Sequence, residues 1–369
     1  MFPTNYNSIW ERVLEITPDE YGKTRNFKDG KTTFLGPYLS RGVISTKQVL
    51  EHLLSRDLPW YETHKLIQEL AWRDYHQQIW KVKGNAIDSD LKSTQEGVDH
   101  FNLPSAIVNA KTGISAIDEG LVGLIETGHM HNHMRMYVAS MACNTAKAHW
   151  NTPAKWMYSH LLDGDWASNA ISWQWVAGTH SSKKYYANQD NINRFFYSDQ
   201  KNTFLDHSYE ELPALPTPNV LMPNEPFQLK TVLPESDELN FSEGKKIAIY
   251  NYYNLDPIWR KEEDLERVLL LEPSHFNLYP ISSKCLDFML DLSKNITNLK
   301  VFSGEFNSLK AKANQDEFIF KEHPTTSHYI GQEDPRDWMF KVEGYYSSFF
   351  KFWKKCSKTL NNNHLNNLK

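Results

Sequence analysis

The sequence has few cysteines and no long apolar run. Its three cysteines, Cys143, Cys285 and Cys356, lie far apart without a CxxC spacing, which excludes a disulfide framework and a four-thiolate metal cluster. No stretch approaches the roughly 20 apolar residues that span a bilayer, and the N-terminus shows no basic start followed by an apolar core. We therefore expect a cytoplasmic protein that is neither exported nor embedded in a membrane.

An excess of basic residues is also missing. The 369 residues include 40 lysines and arginines against 45 aspartates and glutamates, a formal net charge of -5. This excludes a globally basic protein, so any contact with nucleic acid must come from a local patch and should weaken with salt. Aromatic residues are plentiful, and the 12 tryptophans, 18 tyrosines and 19 phenylalanines fit large packed cores or a site that stacks flat ligands.

The length and the hydrophobic pattern predict two folding units. Up to about residue 200, apolar residues recur three and four positions apart, as from Tyr61 to Trp80, which indicates helices. Six prolines between residues 205 and 240 mark an irregular connection. Short β-rich runs follow at KIAIYNYYN, RVLLLEP, LKVFSG and EFIFKEH, with helical spacing from Ser282 to Leu292.

These patterns define a predicted domain organisation. We expect a helical domain at 1–210, a proline-rich linker at 211–242, a small α/β domain at 243–350 and a polar, frayed tail at 351–369.

One helical segment, KLIQELAWRDYHQQIW, carries a polar stripe. Glu69, Trp72, Arg73 and His76 fall at i, i+3, i+4 and i+7, which places them on one side of a helix. By itself the stripe fits a solvated face with one aromatic residue as well as it fits a ligand site.

A second segment, GHMHNHMRMYVAS, has histidines at positions 129, 131 and 133. Residues two apart on a helix point about 200° away from each other, so we expect no metal site there. Asn132 and Arg135 share a helix face at i, i+3, and an arginine in so apolar a segment needs an anionic partner.

We expect that partner in LLDGDWASNAISWQWVAG. The DGD sequence at 163–165 predicts a turn with two carboxylates at a helix start. Asp165, Asn169 and Trp173 then follow on one line at i, i+4 and i+8, while Trp175 points to another side. This face fits a polar heterocycle backed by an indole, and it also fits a plain aromatic core.

Four segments together resemble a known family. GKTTFLGPYLSRGVIS, ELAWRDYHQQIW, TGHMHNHMRMYVAS and LLDGDWASNAISWQW occur in the order and at about the spacing of the FAD-binding helical domain of DNA photolyases and cryptochromes. The resemblance covers about residues 10–210. It implies an all-helical photolyase-type FAD-binding domain. Together with the β-rich runs after residue 243, this predicts a mainly α protein in which that domain is followed by a smaller α/β domain. Photolyases carry an α/β antenna domain before the helical domain, and we expect none at this N-terminus.

The resemblance implies FAD as the cofactor and a set of residues that bind it. Those matching the phosphate-binding positions are Tyr21, Thr32, Thr33, Leu35, Gly36 and Arg73. Phe34 and Gly36 stand where the family usually has an arginine and a serine, which implies a phosphate-binding site that is weaker or differently built. Those matching positions around the flavin ring are Arg135 paired with Asp163, Asp165, and Asn169 facing flavin N5.

The resemblance also implies residues for a DNA lesion and for electron transfer. Those matching the lesion pocket of cyclobutane-dimer photolyases are Glu69, Trp72, Asn132 and Trp175. His133 replaces a DNA-phosphate arginine of the family, which leaves Arg25 and Asn132 as the expected DNA contacts. Trp173 and Trp150 match the inner and middle members of the family's tryptophan electron chain, and no tryptophan near Ile107 supplies the distal member.

The leading hypothesis is therefore a deoxyribodipyrimidine photolyase. Such an enzyme repairs cyclobutane pyrimidine dimers in UV-damaged DNA by light-dependent electron transfer from reduced FAD. The alternative is a cryptochrome-like FAD blue-light photosensor that acts through a protein partner, which the acidic charge and the missing distal tryptophan favour. A third hypothesis is a flavoprotein of this fold with dark redox chemistry. None of the three requires a metal or a membrane.

Overall fold

The computed structural model describes residues 2–313 and 317–363. The chain divides into two compact units: a sheet-containing unit of residues 1–22, 33–82 and 230–369, and a helical unit of residues 23–32 and 83–229. The predicted fold class, mainly α with a smaller α/β part, is confirmed. Within the described ranges, no helix combines the length and the apolar character needed to cross a membrane.

The N-terminal helices show how local sequence sets helix starts. They are α1 (Tyr6–Leu14), α2 (Pro18–Thr24), α3 (Gly36–Ser40), α4 (Thr46–Ser55) and α5 (Trp60–Lys83). α4 begins with a capping box, because the Ser45 hydroxyl accepts from the Gln48 amide at 3.1 Å and the Gln48 side chain accepts from the Ser45 amide at 2.7 Å. α5 confirms the helix predicted from Tyr61 to Trp80.

The helical unit contains the elements that carry the polar motifs. They are β1 (Leu103–Pro104), α6 (Ser105–Val108), α7 (Ser115–Thr127), α8 (Asn132–Ser140), α9 (Asn151–His160), α10 (Trp166–Ala177), α11 (Gln189–Phe196) and β2 (Asn224–Glu225). α7 ends at Gly128, whose φ is +73°, and a Cβ there would lie 2.6 Å from Leu162 Cγ. Only glycine therefore fits this close approach of α7 to the segment before α10.

The C-terminal sheet confirms the predicted strands. Its elements are β3 (Ile247–Tyr250), β4 (Glu266–Leu271), α12 (Pro273–Leu278), α13 (Ser283–Ser293), β5 (Leu299–Ser303), α14 (Phe306–Ala313), β6 (Phe318–Lys321), β7 (Gln332–Asp334) and α15 (Phe349–Asn363). The strands are all parallel in the order β5-β4-β3-β6-β7. The inner strands are almost wholly buried, as parallel strands covered on both faces require.

The strand order reverses between β3 and β6, which makes this the point where open α/β sheets usually form a crevice. Here the chain's own aromatic side chains fill the carboxyl end of the sheet. Tyr253 stacks on His323 at 4.3 Å, and Trp80 of α5 packs edge-on against both rings, at 5.7 and 5.0 Å. The sheet therefore serves as a packing surface for α5.

The segment that follows β7 is bound along α5 by hydrogen bonds. The Met339 amide donates to Asp74 Oδ2 at 2.9 Å, the Gly344 amide donates to the Gln78 side chain at 3.1 Å, and the Tyr75 hydroxyl donates to the Tyr346 carbonyl at 3.0 Å. Much of the predicted tail, at 351–369, belongs to helix α15, and its residues 364–369 lie outside the described ranges. The domain boundaries given above remain predictions.

Asp74 makes the stability of the sheet-containing unit depend on pH. Burial raises its pKa to about 6, although hydrogen bonds from Met339 and Thr46 act in the opposite direction. Below about pH 4 the carboxyl is protonated in the folded and in the unfolded chain. As the pH rises from about 4 to 6, the unfolded chain loses this proton first, so the free energy of unfolding falls by about 3 kcal/mol.

We expect the free energy of unfolding of Asp74→Asn to lack this decrease between about pH 4 and 6, because the amide has no proton to release. Urea unfolding between pH 4 and pH 7 measures it, and Asp264→Asn is the control, since the Asp264 side chain is 82% exposed. Identical pH profiles for the wild-type protein and Asp74→Asn would contradict the assignment.

Candidate functional site

The predicted site residues occur in both compact units. Seven lie in the sheet-containing unit, namely Tyr21, Thr33, Leu35, Gly36, Glu69, Trp72 and Arg73. Ten lie in the helical unit, namely Arg25, Thr32, Asn132, Arg135, Trp150, Asp163, Asp165, Asn169, Trp173 and Trp175.

In the helical unit, Arg135 of α8 forms an ion pair with Asp163. Its NH2 group lies 2.9 and 3.0 Å from the two carboxylate oxygens, and its Nε donates to the Met130 carbonyl at 3.0 Å. The two side chains are only 20% and 16% exposed. The predicted pairing is therefore present, and the backbone carbonyl fixes the plane of the guanidinium group.

The turn after Asp163 starts helix α10, as predicted. Asp165 is 4% exposed and caps the helix, because its Oδ1 accepts from the Ser168 amide at 2.7 Å. A Cβ at Gly164 would lie 3.0 Å from two carbonyl oxygens, so the tight turn favours glycine. One turn further on, the Asn169 amide nitrogen donates to the Ala154 carbonyl at 2.9 Å, which fixes the orientation of this side chain.

Helix α10 directs its two tryptophans to different environments. Trp173 is 2% exposed, whereas Trp175 is 42% exposed and tilts against Tyr185 with ring centroids 5.8 Å apart. Trp150, at the start of α9, is fully buried, and its indole N–H donates to Asp90 Oδ1 at 2.7 Å. Asn132 is exposed in the first turn of α8. The helical unit therefore offers one accessible indole and two buried ones among the predicted residues.

The three histidines of the second motif remain neutral near pH 7. Burial lowers the pKa of His131 to about 4 and also lowers the pKa values of His129 and His133. Among the residues that the structure describes, no three histidine, cysteine, aspartate or glutamate side chains are arranged to hold a metal ion. Arg25 precedes this motif in sequence and belongs to the same unit.

In the sheet-containing unit, Arg73 of α5 contacts helix α3. Its NH1 group donates to the Ser40 hydroxyl at 2.8 Å, and α3 starts at Gly36, directly after the predicted phosphate loop. In that loop the Thr33 hydroxyl accepts from the Leu35 amide at 3.3 Å. Phe34, at one of the positions that depart from the family, has a positive φ of 51°. Tyr21 lies in α2, and Thr32 precedes the loop in the other unit.

The lesion-pocket residues predicted on α5 already have neighbours. Glu69 forms an ion pair with Lys65 at 2.8 Å. Trp72 is half-buried, and Phe349 of α15 stacks on it with ring centroids 3.8 Å apart and planes 10° from parallel. The contacts of Phe349 and Asp90 were not predicted from the sequence. Phe349 lies beside a segment that has the composition of a polar tail, and Asp90 lies in a polar loop without a motif.

Most of the described site residues lie in a region that is similar to known proteins. Residues 66–262 match the family described as the FAD binding domain of DNA photolyase. The chain is 29% identical over 232 residues to a deoxyribodipyrimidine photo-lyase of Buchnera aphidicola, with 59% of this chain and 47% of that protein covered. It is 32% identical over 175 residues to one from Synechococcus, with 45% and 36% covered. The chain thus spans less than half the length of these relatives.

A solved structure is also similar. A cryptochrome from Synechocystis aligns with a TM-score of 0.48 at 24% identity, covering 60% of this chain and 48% of that one. The family match extends over more than half of the chain, which therefore belongs to the family of photolyase FAD-binding domains. Its cofactor is FAD.

The residues present fit this cofactor chemically. Arg73, which contacts Ser40 of α3, and the hydroxyl of Thr33 offer a cation and a hydroxyl group of the kinds suited to a pyrophosphate. Arg135 is held against Asp163 with its plane fixed, and Asn169 presents a fixed amide one turn into α10. Such a set of orientated polar groups among buried aromatic residues suits the polar edge of a flavin ring.

We expect Asp163→Ala to lower both the free energy of unfolding and the affinity for FAD. Removal of the carboxylate leaves the half-buried Arg135 without this partner, at a cost of about 1–3 kcal/mol of unfolding free energy. Flavin absorbance per polypeptide after desalting and thermal unfolding measure the two effects.

The matched control is Asp99→Ala. Asp99 pairs with Lys147 at 3.6 Å, and its side chain is 61% exposed, so its loss should cost about 0–1 kcal/mol. Equal losses of FAD in the two variants would contradict the role given to Asp163.

Proposed function

We propose that this chain is a deoxyribodipyrimidine photolyase, which repairs cyclobutane pyrimidine dimers in UV-damaged DNA in the light. The chemistry that FAD supplies when it is bound and reduced is the donation of one electron to the dimer under light and its recovery after ring opening. A cytoplasmic location is part of the proposal, and the burial of Cys143, Cys285 and Cys356 as thiols supports it.

The observation that carries the proposal is the exposed indole of Trp175. Its neighbour on α10, Trp173, is 2% exposed, whereas Trp175 is 42% exposed and leans on Tyr185. A rigid, accessible indole suits base stacking, which contributes about 1–3 kcal/mol per base. The exposed amide of Asn132 supplies a donor and an acceptor for the edge of a pyrimidine.

The remaining residues take the roles that the family resemblance implies. The phosphate-binding set is Tyr21, Thr32, Thr33, Leu35, Gly36 and Arg73. The set around the flavin ring is Arg135, Asp163, Asp165 and Asn169. Glu69 and Trp72 contact the lesion, Arg25 contacts the DNA backbone with Asn132, and Trp173 and Trp150 carry electrons. The orientated ion pair of Arg135 with Asp163 supports the second set.

The test is blue-light repair of an oligonucleotide with one cyclobutane dimer, with the flavin absorbance recorded on the same sample. We expect Trp175→Ala to lower the affinity for this DNA about tenfold, because one stacking surface is lost, while FAD content is unchanged. Tyr209→Ala is the control, since Tyr209 is an aromatic residue of the same unit with a similar exposed fraction of 49%. Photoreduction of FAD without any dimer repair would overturn the proposal.

A specific observation favours a photosensor as the second candidate function. Phe349 stacks on Trp72, so the chain's own C-terminal helix covers an indole that a photolyase would use for stacking. Tyr75 reinforces this cover, because it packs against Phe349 at 5.8 Å and against Phe352 at 5.7 Å. A helix held on the site by aromatic contacts suits a protein that signals through a change in its C-terminal segment.

Phe349→Ala separates the two candidates. In a photolyase the uncovered Trp72 should raise the affinity for dimer-containing DNA up to about tenfold, whereas in a photosensor DNA affinity should not change. Truncation of a buried phenylalanine costs about 3–5 kcal/mol, so binding is measured at low temperature with the fold checked by circular dichroism. Phe350→Ala is the matched control, because its neighbouring ring is 67% exposed.

A further inference from the structure

Two carboxylates of the helical unit, at the point where a 3-10 helix (Gly84–Asp88) passes into a loop, each bind a buried indole. Asp90 Oδ1 accepts a hydrogen bond from Trp150 Nε1 at 2.7 Å, and Asp88 Oδ1 accepts one from Trp166 Nε1 at 2.7 Å. Both indoles are 0% exposed. An indole has a single N–H donor, and a carboxylate is the strongest kind of neutral-pH acceptor for it. Each tryptophan therefore has its one polar group committed to one carboxylate.

Helix α10 fixes the position of this loop. The Gln174 side chain, which is fully buried, donates to the Ile87 carbonyl at 3.0 Å and accepts from the Leu91 amide at 3.0 Å. The second oxygen of Asp90 accepts from the Gln95 amide at 2.7 Å. Gln174 directly follows Trp173, one of the two predicted electron-transfer residues, on helix α10. The same helix therefore positions Asp90, the carboxylate that is bound to the other one, Trp150.

Asp90 has, in addition, an imidazole beside it. His149 Nε2 lies 3.3 Å from Asp90 Oδ1, the same oxygen that accepts from Trp150. The two side chains are 18% and 17% exposed, and the His149 ring stacks on Phe101, which is 68% exposed. His149 Nδ1 accepts from the Asn151 backbone amide at 3.4 Å, so Nε2 carries the proton of the neutral ring. Asp90 Oδ1 therefore faces two N–H groups, those of Trp150 and His149.

We infer that Asp90 is the proton acceptor for a radical formed on Trp150, which ends the electron path at this residue. This inference rests on the proposed function, in which Trp150 carries electrons. The oxidant is of the class of photoexcited oxidised flavins. Loss of one electron makes the indole N–H strongly acidic, and a carboxylate already bonded to it at 2.7 Å accepts the proton without rearrangement.

The step is balanced in atoms and charge. Trp150 gives one electron to the photo-oxidant, its Nε1–H bond breaks with the electron pair left on nitrogen, and an O–H bond forms at Asp90 Oδ1. The products are a neutral tryptophan radical, a neutral carboxylic acid and the oxidant reduced by one electron. Without its proton the radical is a weaker oxidant than the radical cation, so return of the electron is slowed. A distal tryptophan, which the sequence lacks near Ile107, is then not required.

Flash photolysis of the full-length, FAD-loaded protein tests the step by the absorption of the tryptophan radical, whose cationic and neutral forms have different spectra. Asp90→Asn retains a carbonyl oxygen as acceptor but no base, so formation of the neutral radical should slow about 100-fold or more. Asp88→Asn is the matched control and should leave the kinetics unchanged. Trp150→Phe identifies the signal, and Asp90→Ser replaces Asp90→Asn if the latter does not fold.

A second measurement separates this inference from the proposed function. Ultraviolet photoionisation creates tryptophan radical cations without any flavin. The part of the radical absorption that is lost in Trp150→Phe belongs to Trp150. Slow deprotonation of that part in Asp90→Asn, with normal rates in Asp88→Asn, supports the role of Asp90 even if the protein repairs no DNA. Equal rates in the wild-type protein and Asp90→Asn overturn it, even if repair is found.

Discussion

The contact of Trp80 with the aromatic side chains at the carboxyl end of the parallel sheet determines much of the sheet-containing unit. Trp80 packs edge-on against Tyr253, Tyr279 and His323, and each such aromatic pair contributes about 0.5–1.5 kcal/mol beyond the burial of its area. These contacts fix the position and the rotation of α5. The positions of Arg73 against α3 and of Trp72 against α15 follow from this placement, because Trp72, Arg73 and Trp80 all lie on the one helix α5.

In the helical unit, the corresponding constraint is that buried polar groups need partners. Arg135 is stabilised by Asp163, the first turn of α10 is stabilised by Asp165, and two buried indoles are stabilised by Asp88 and Asp90. Each of these groups would be costly to bury alone. The same contacts that stabilise the fold therefore leave orientated charges and hydrogen-bond donors around α10, and such preorganised groups are what a flavin and its electron donors require.

The sequence was sufficient for features that have a local cause. Apolar runs predicted β3 to β6, and the DGD turn predicted the start of α10. The need of Arg135 for an anion predicted a partner in the segment that contains this turn, and only the family resemblance implied Asp163. Strand β7 was missed because its side chains are mostly exposed and leave no apolar pattern. The contacts of Phe349 with Trp72 and of Asp90 with Trp150 join residues distant in sequence. Periodicity indicates which face of an element is buried, but not which residue covers it.

The two predicted stacking residues differ in what binding would cost. Uncovering Trp72 means breaking its stack with Phe349, at about 0.5–1.5 kcal/mol, and exposing a buried phenylalanine, at about 1.5–3 kcal/mol. A base stacked on the freed indole returns about 1–3 kcal/mol, which is about 1 kcal/mol less than the exchange costs. Trp175 is already 42% exposed and needs no such displacement. Affinity for a lesion should therefore come mainly from Trp175. Stacking on Trp72 would require a ligand whose other contacts compensate for the displacement of α15. In a photolyase this requirement would make α15 a determinant of substrate selectivity. In a photosensor the displacement of α15 would itself be the signal.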